Sequence, residues 1–126
     1  MCYTAGMLYD LAIIGGGPAG VAAGVYAARK KLKTVFITKD WGGQSSVSTG
    51  IEHWIGTVRL DGAARAKNLE AHLRAYAADV VIVRDNEWVK MVEKKGANFC
   101  ITTDAGAYDT RAVLVGTGSA RRKLVA

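Results

Sequence analysis

Proline occurs once and cysteine twice in these 126 residues, and no apolar run is long. Each scarcity excludes something. A chain with so little proline and half its residues apolar is neither a Pro-rich linker nor a disordered segment. Cys2 and Cys100 stand far apart and neither belongs to a C-x-x-C pair, which argues against a redox dithiol or a zinc site. No stretch reaches the ~18 apolar residues of a membrane helix, and the start lacks the regions of a signal peptide. The default expectation is a soluble cytoplasmic protein without a membrane partner. Acidic residues are also in deficit, 11 against 17 basic, for a formal charge of +6. The basic residues are dispersed apart from "RKKLK" at Arg29–Lys33 and "RRK" at Arg121–Lys123. The first of these falls where a helix should end, a place that favours cations, so no nucleic-acid partner is expected.

What is present is organised as one domain. Residues 1–8 show no periodicity and are set apart as an N-terminal extension. "YDLAII" is an apolar run suited to a strand buried on both faces. Gly15, Gly16 and Gly17 follow, and Pro18 stands at the first helical position, where its missing N–H costs nothing. The helix predicted from Pro18 to about Lys31 is rich in Ala and Gly. A helix-interior glycine such as Gly24 costs about 1 kcal/mol, so close packing is its expected compensation. "KTVFIT" supplies a second buried strand, completing a βαβ unit with a right-handed crossover.

Residues 39–60 have no helical period and read as a long loop of the kind that carries function. Asp61 is the expected N-cap of a second helix, with Ala66, Leu69, Leu73, Tyr76 and Ala77 on one face. "VVIV" reads as a third buried strand. The remainder alternates, turns at Lys95–Asn98 and Asp104–Gly106, and closes on "AVLV", the pattern of an antiparallel meander. Cys100, inside "NFCITT", reads as a small core residue, and His72 as structural or solvent-facing.

Gly15, Gly17 and Gly20 form G-x-G-x-x-G between a strand and a helix. Gly15 permits the tight turn, Gly17 lets the backbone approach a pyrophosphate, and Gly20 lets the helix close on the strand. The phosphates then face the positive helix N-terminus. A dinucleotide ligand follows, but the turn leaves NAD and FAD both open. Thr38 occupies the place of the usual ribose-binding acid, and Asp40 is either its substitute or a solvated loop carboxylate.

The ordered set "GGGPAG…YAAR", "WGGQ", "GIEHWIG" and "AVLVGTGSARRKL" resembles the N-terminal FAD-binding part of the thioredoxin reductase family. The flavoprotein subunit of alkyl hydroperoxide reductase looks similarly close, and both are class II pyridine nucleotide-disulfide oxidoreductases. The likeness covers the chain from Tyr9 onward. It implies a three-layer Rossmann-like α/β fold for FAD or NAD(P), a parallel sheet plus a small antiparallel β-meander, incomplete in this sequence. Residues 9–126 would be the first half of the FAD-binding domain.

By the same resemblance, Gly15, Gly17, Pro18 and Ala19 meet the FAD pyrophosphate, and Thr38 and Lys39 stand where the family contacts the adenosine ribose. Gly42, Gly43 and Gln44 follow the ribityl chain and flavin edge. Val89 pairs its backbone with adenine, while Trp88 is either an adenine platform or a packing residue. Thr117 and Gly118, with Gly116 in place of an alanine, approach the cofactor through the backbone. His53 replaces the family's usual asparagine and is either a flavin contact or a plain loop residue. Ile55 replaces a common proline.

The family inserts an NADPH domain after the position of Gly118. This sequence has no second G-x-G-x-x-G, no C-x-x-C and no returning Gly-Asp segment. No catalytic residue is therefore expected in it, and NADPH chemistry would need a further domain or chain. The uncovered apolar surface predicts self-association or a complementary chain. The alternative is a non-catalytic module or subunit binding FAD, ADP or NAD.

Overall fold

The structure, a computed structural model, describes residues 6–120. Six strands and two helices follow the order β1 (Leu8–Gly16), α1 (Pro18–Arg29), β2 (Thr34–Trp41), α2 (Gly62–Ala77), β3 (Val81–Arg84), β4 (Val89–Lys95), β5 (Asn98–Thr103) and β6 (Ala107–Val115). A short 3₁₀ turn, Gly43–Val47, lies between β2 and α2. The strands form one mixed sheet in the order β3-β2-β1-β6-β5-β4. β1, β2, β3 and β6 run parallel, while β4, β5 and β6 form the antiparallel meander. The α/β Rossmann-like architecture with a parallel sheet and a meander is the one expected.

Both helices cover one face of the parallel strands. Val21, Val25, Ala27 and Ala28 of α1 and Leu73 and Ala77 of α2 join Ile13, Phe36 and Val81 in a buried cluster. Gly24 explains how two helices share that face. A Cβ there would stand 2.7 Å from a Leu73 methyl and 3.3 Å from the Phe36 ring. The opposite face buries Tyr9, Ala12, Ile14, Val35 and Ile37 together with Ile101 of the meander, with Val89 and Tyr108 packed alongside. The meander thus bends back over the sheet as a third layer. The Glu87 N–H, just before the outermost strand β4, donates to the Thr38 carbonyl of β2 at 3.1 Å.

Several local expectations are revised. β1 begins at Leu8, paired opposite Asp109, so the N-terminal extension yields one residue to the sheet. α1 stops at Arg29. The last strand joins the meander to the parallel sheet: β6 pairs through Ala107–Thr110 with β5 and through Asp109–Val115 with β1. β3 is an edge strand with only Val81 fully buried, not a strand buried on both faces. Tyr76 is 47 % exposed and off the buried face of α2, where Arg65 is buried instead. The 39–60 loop is tied down. β2 runs on to Trp41, and Ile51 and Leu60 exchange backbone hydrogen bonds of 2.7 and 3.0 Å that close the loop on itself. Cys100 is buried, and His72 is on the surface with its ring 5.5 Å from that of Tyr76.

Candidate functional site: a dinucleotide cleft

At the C-terminal ends of the parallel strands the chain leaves β1 toward β2 on one side, while β6 lies on the other. Such a switch point is where open α/β sheets bind ligands. A cleft of about 1520 Å³ occupies it. Its floor is the β1–α1 turn. Its walls are the end of β2 with the 3₁₀ turn, the Glu87–Val89 approach to β4, and residues 115–120 after β6.

Each glycine of the turn has a different physical reason. Gly15 lies at φ +117°, and a Cβ there would reach 2.2 Å from the Gly116 carbonyl oxygen. A Cβ on Gly20 would fall 1.8 Å from the Gly15 carbonyl oxygen, so α1 closes on β1 only with glycine there. Gly16, which the fingerprint leaves unspecified, is as tightly held: its Cβ would stand 2.5 Å from Thr38 Oγ1 and 2.6 Å from the Asp40 carbonyl oxygen. Gly17 differs, since its nearest neighbour would be Gly43 Cα at 3.7 Å, an ordinary contact. Among the described residues no atom demands glycine at 17. Gly17 is also the N-cap of α1, and no side chain caps the helix there. The positive end of α1 opens into the cleft between Gly17, Pro18 and Ala19.

Thr38 lines the cleft but is buried, and its hydroxyl donates to the Asp40 carbonyl, shaping the turn after β2. Lys39 lies at the cleft wall with its ammonium 2.9 Å from Asn86 Oδ1, and Asp40 lines the same wall. Gly43 and Gln44 line the cleft, and the Gln44 amide reaches Ser119 Oγ at 3.3 Å. Gly42 does not line it. At φ +91° it sits behind the wall, its N–H donating to the Gly16 carbonyl at 2.9 Å and its α-carbon facing Ala66. Val89, Thr117 and Gly118 line the cleft, as does Trp88, whose ring is 57 % exposed rather than packed away. An added Cβ on Gly116 would meet its neighbours no closer than 3.4 Å, so the alanine that the resemblance implies there would need little room. His53 is displaced from the cleft. It lines a smaller pocket of about 330 Å³ that shares Pro18 and Ser45 with the larger one.

Two cleft features were not legible in the fingerprint. Trp41 stacks on Phe36 at 5.4 Å between ring centroids, plugging the base of the β2 wall. Glu87 is buried at the cleft edge and accepts from Thr103 Oγ1 and, at 2.8 Å, from the Tyr108 hydroxyl. Burial, and then that carboxylate, push the Tyr108 phenol up to about 12. This pairing ties the segment just before β4 to β6 beside the cleft.

Residues 9–126 match the family described as pyridine nucleotide-disulphide oxidoreductase. An alkyl hydroperoxide reductase component from Staphylococcus aureus is 35% identical over 118 residues, covering 92% of this chain and 22% of the relative. The thioredoxin reductase of Lactococcus lactis superposes with a TM-score of 0.84 at 30% identity, covering 92% of this chain and 37% of that one. The thioredoxin reductase of Streptococcus pyogenes gives 0.83 at 31% identity, covering 93% and 37%. The chain thus spans about a fifth of the length of the curated relatives it matches.

Proposed function

This chain belongs to the pyridine nucleotide-disulphide oxidoreductase family, and from that premise we propose that it is the FAD-binding portion of a thioredoxin-reductase-like flavoprotein. The observation that carries this reading is the uncapped N-terminus of α1, facing a cleft at a sheet switch point through a glycine that no contact among the described residues requires. A pyrophosphate there would meet backbone N–H groups and the helix dipole, with Gly15, Gly17, Pro18 and Ala19 around it. The cleft runs from that point both toward Thr38, Lys39, Trp88 and Val89 and toward Gly43, Gln44, Thr117 and Gly118. The first set would hold the adenosine end and the second the ribityl and flavin end, with Gly42 shaping the second from behind.

Bound FAD supplies two-electron redox chemistry. In this reading the residues of this chain bind and orient it. The family's use of a nicotinamide and a disulfide assigns those parts to a further domain or chain, since this sequence holds one glycine fingerprint and no C-x-x-C. Val47, Ile55 and Val58 are 86 %, 94 % and 93 % exposed along the loop between β2 and α2. A partner domain or chain that closed over this loop would cover those apolar side chains.

The test is a visible absorption spectrum of the purified chain after incubation with FAD and removal of the excess. A flavin band that stays with the protein supports the reading. Its absence, with the chain folded by circular dichroism, would remove FAD binding from this chain alone.

A further inference from the structure

The smaller pocket beside the cleft contains a charge that no ion pair among the described residues balances. Arg65 projects from the first turn of α2 and is only 6 % exposed. α2 starts tightly beneath the 3₁₀ turn: a Cβ on Gly62 would lie 2.0 Å from the Ser45 carbonyl oxygen. The guanidinium is trapped there, 4.1 Å from the Trp54 ring centroid, with one nitrogen donating to Ser45 Oγ. Its Nε is buried and has no hydrogen-bond partner among the described residues.

The neighbouring acids are engaged elsewhere, Glu70 with Arg74 at 2.9 Å. Asp61 caps α2 through the Ala64 N–H at 2.7 Å, and Glu52 is paired with Arg59. No ion pair involves Arg65 among the described residues. An arginine cannot shed its charge as a buried lysine can, and an uncompensated buried cation is costly. The Trp54 face offsets part of that cost but leaves the Nε–H without an acceptor.

We propose that this pocket is an oxyanion site, in which Arg65 receives a phosphate-type group with Ser45 and His53 at its rim. The pocket, of about 330 Å³, has Ser48, His53, Trp54 and Arg65 among its lining residues and no carboxylate, and the Ser45 hydroxyl at its edge donates to the Gly42 carbonyl at 3.1 Å. Because it shares Pro18 and Ser45 with the dinucleotide cleft, the group has two sources. It is either a free phosphate or a phosphate of the dinucleotide reaching past Pro18. The site stands on Arg65 whether or not the cleft holds FAD.

The test follows the Arg65 Nε–Hε resonance of the 126-residue chain by NMR, assigned by its loss in Arg65→Lys. Inorganic phosphate is the titrant, with ionic strength held constant by sodium chloride. A saturable shift with a dissociation constant near 1 mM, equivalent to about 4 kcal/mol, is expected. Thermal melts provide a second readout that does not depend on the assignment. Phosphate raises the melting temperature of the wild type but not of Arg65→Met, which removes the charge at similar volume. Repeating the titration with FAD present separates the sources. A phosphate shift that persists identifies a free anion. A shift produced by FAD itself, and no further one by phosphate, identifies the dinucleotide. An Arg65 resonance unmoved by either, or melting temperatures raised equally in Arg65→Met, would overturn the site.

Discussion

α1 and α2 lie side by side on the same face of the sheet, yet their N-termini are finished differently. α2 is closed by its own sequence: the Asp61 carboxylate accepts from the Ala64 N–H, and the loop before it folds down onto Gly62. α1 is left open, with a glycine at the cap, a proline behind it and no acidic residue in its first turn. A side chain such as Asp at position 17 would have room, because its Cβ would meet nothing nearer than 3.7 Å. The difference is therefore not imposed by packing. A helix end that packing would allow to be capped, and that instead faces a cleft, is best understood as a place kept for an anion.

The largest effect on this comparison is expected at Gly20. Gly20→Ala forces a methyl to within 1.8 Å of the Gly15 carbonyl oxygen, a clash with backbone that cannot rotate away. The expected loss is roughly 3 kcal/mol or more, seen as an unfolded or insoluble chain by circular dichroism. Gly16→Ala should be nearly as severe, whereas Gly17→Ala should leave the melting temperature close to wild type. Equal damage at 17 and 20 would show that both glycines serve packing alone.

A smaller effect is expected at the closed helix. Asp61→Ala removes the cap of α2 and should cost about 1 kcal/mol by denaturant unfolding. FAD binding should survive it, since the carboxylate does not line the cleft. A large loss of cofactor affinity in this variant would mean that the two helix ends are coupled.

The effect confined to the narrowest range of conditions concerns pH. Tyr108 ionises near 10 in an unfolded chain and at about 12 here, chiefly through burial and then through Glu87. Its raised value means that the folded state keeps a proton which the unfolded state has lost. The Tyr108 contribution is fully present below pH ~10 and declines between about 10 and 12. Tyr108→Phe should show a shallower fall in stability across that interval than the wild type. Parallel curves for the two proteins would remove the Glu87–Tyr108 pairing from the account.

The elements that follow from local pattern were legible in the sequence: the βαβ unit, the Asp61 cap, the hairpin turns of the meander and the glycine fingerprint. Long-range geometry was not. Nothing in "AYDTRAVLV" announces that one strand serves antiparallel β5 with its first half and parallel β1 with its second. The burial of Arg65 depends on the loop folding down over α2, which periodicity cannot encode, and its apolar alternative, Tyr76, turned outward. The fingerprint names only ligand-facing and helix-facing glycines, and the neighbours that hold Gly16 come from β2. Gly42 lies inside "WGGQ" beside cleft-lining Gly43 and Gln44, and its position at φ +91° behind the wall depends on packing against Ala66 that the motif does not encode.

The most direct measurement is an equilibrium titration of FAD, followed by flavin fluorescence, against the wild type and Gly17→Asp. Both proteins must first show the same fold by circular dichroism. The aspartate would cap α1 as Asp61 caps α2 and place a negative charge where the pyrophosphate should lie. The account predicts a saturable signal for the wild type and at least a tenfold weaker one, or none, for the variant. Binding of FAD with equal affinity to both would contradict the claim that the open end of α1 holds the cofactor.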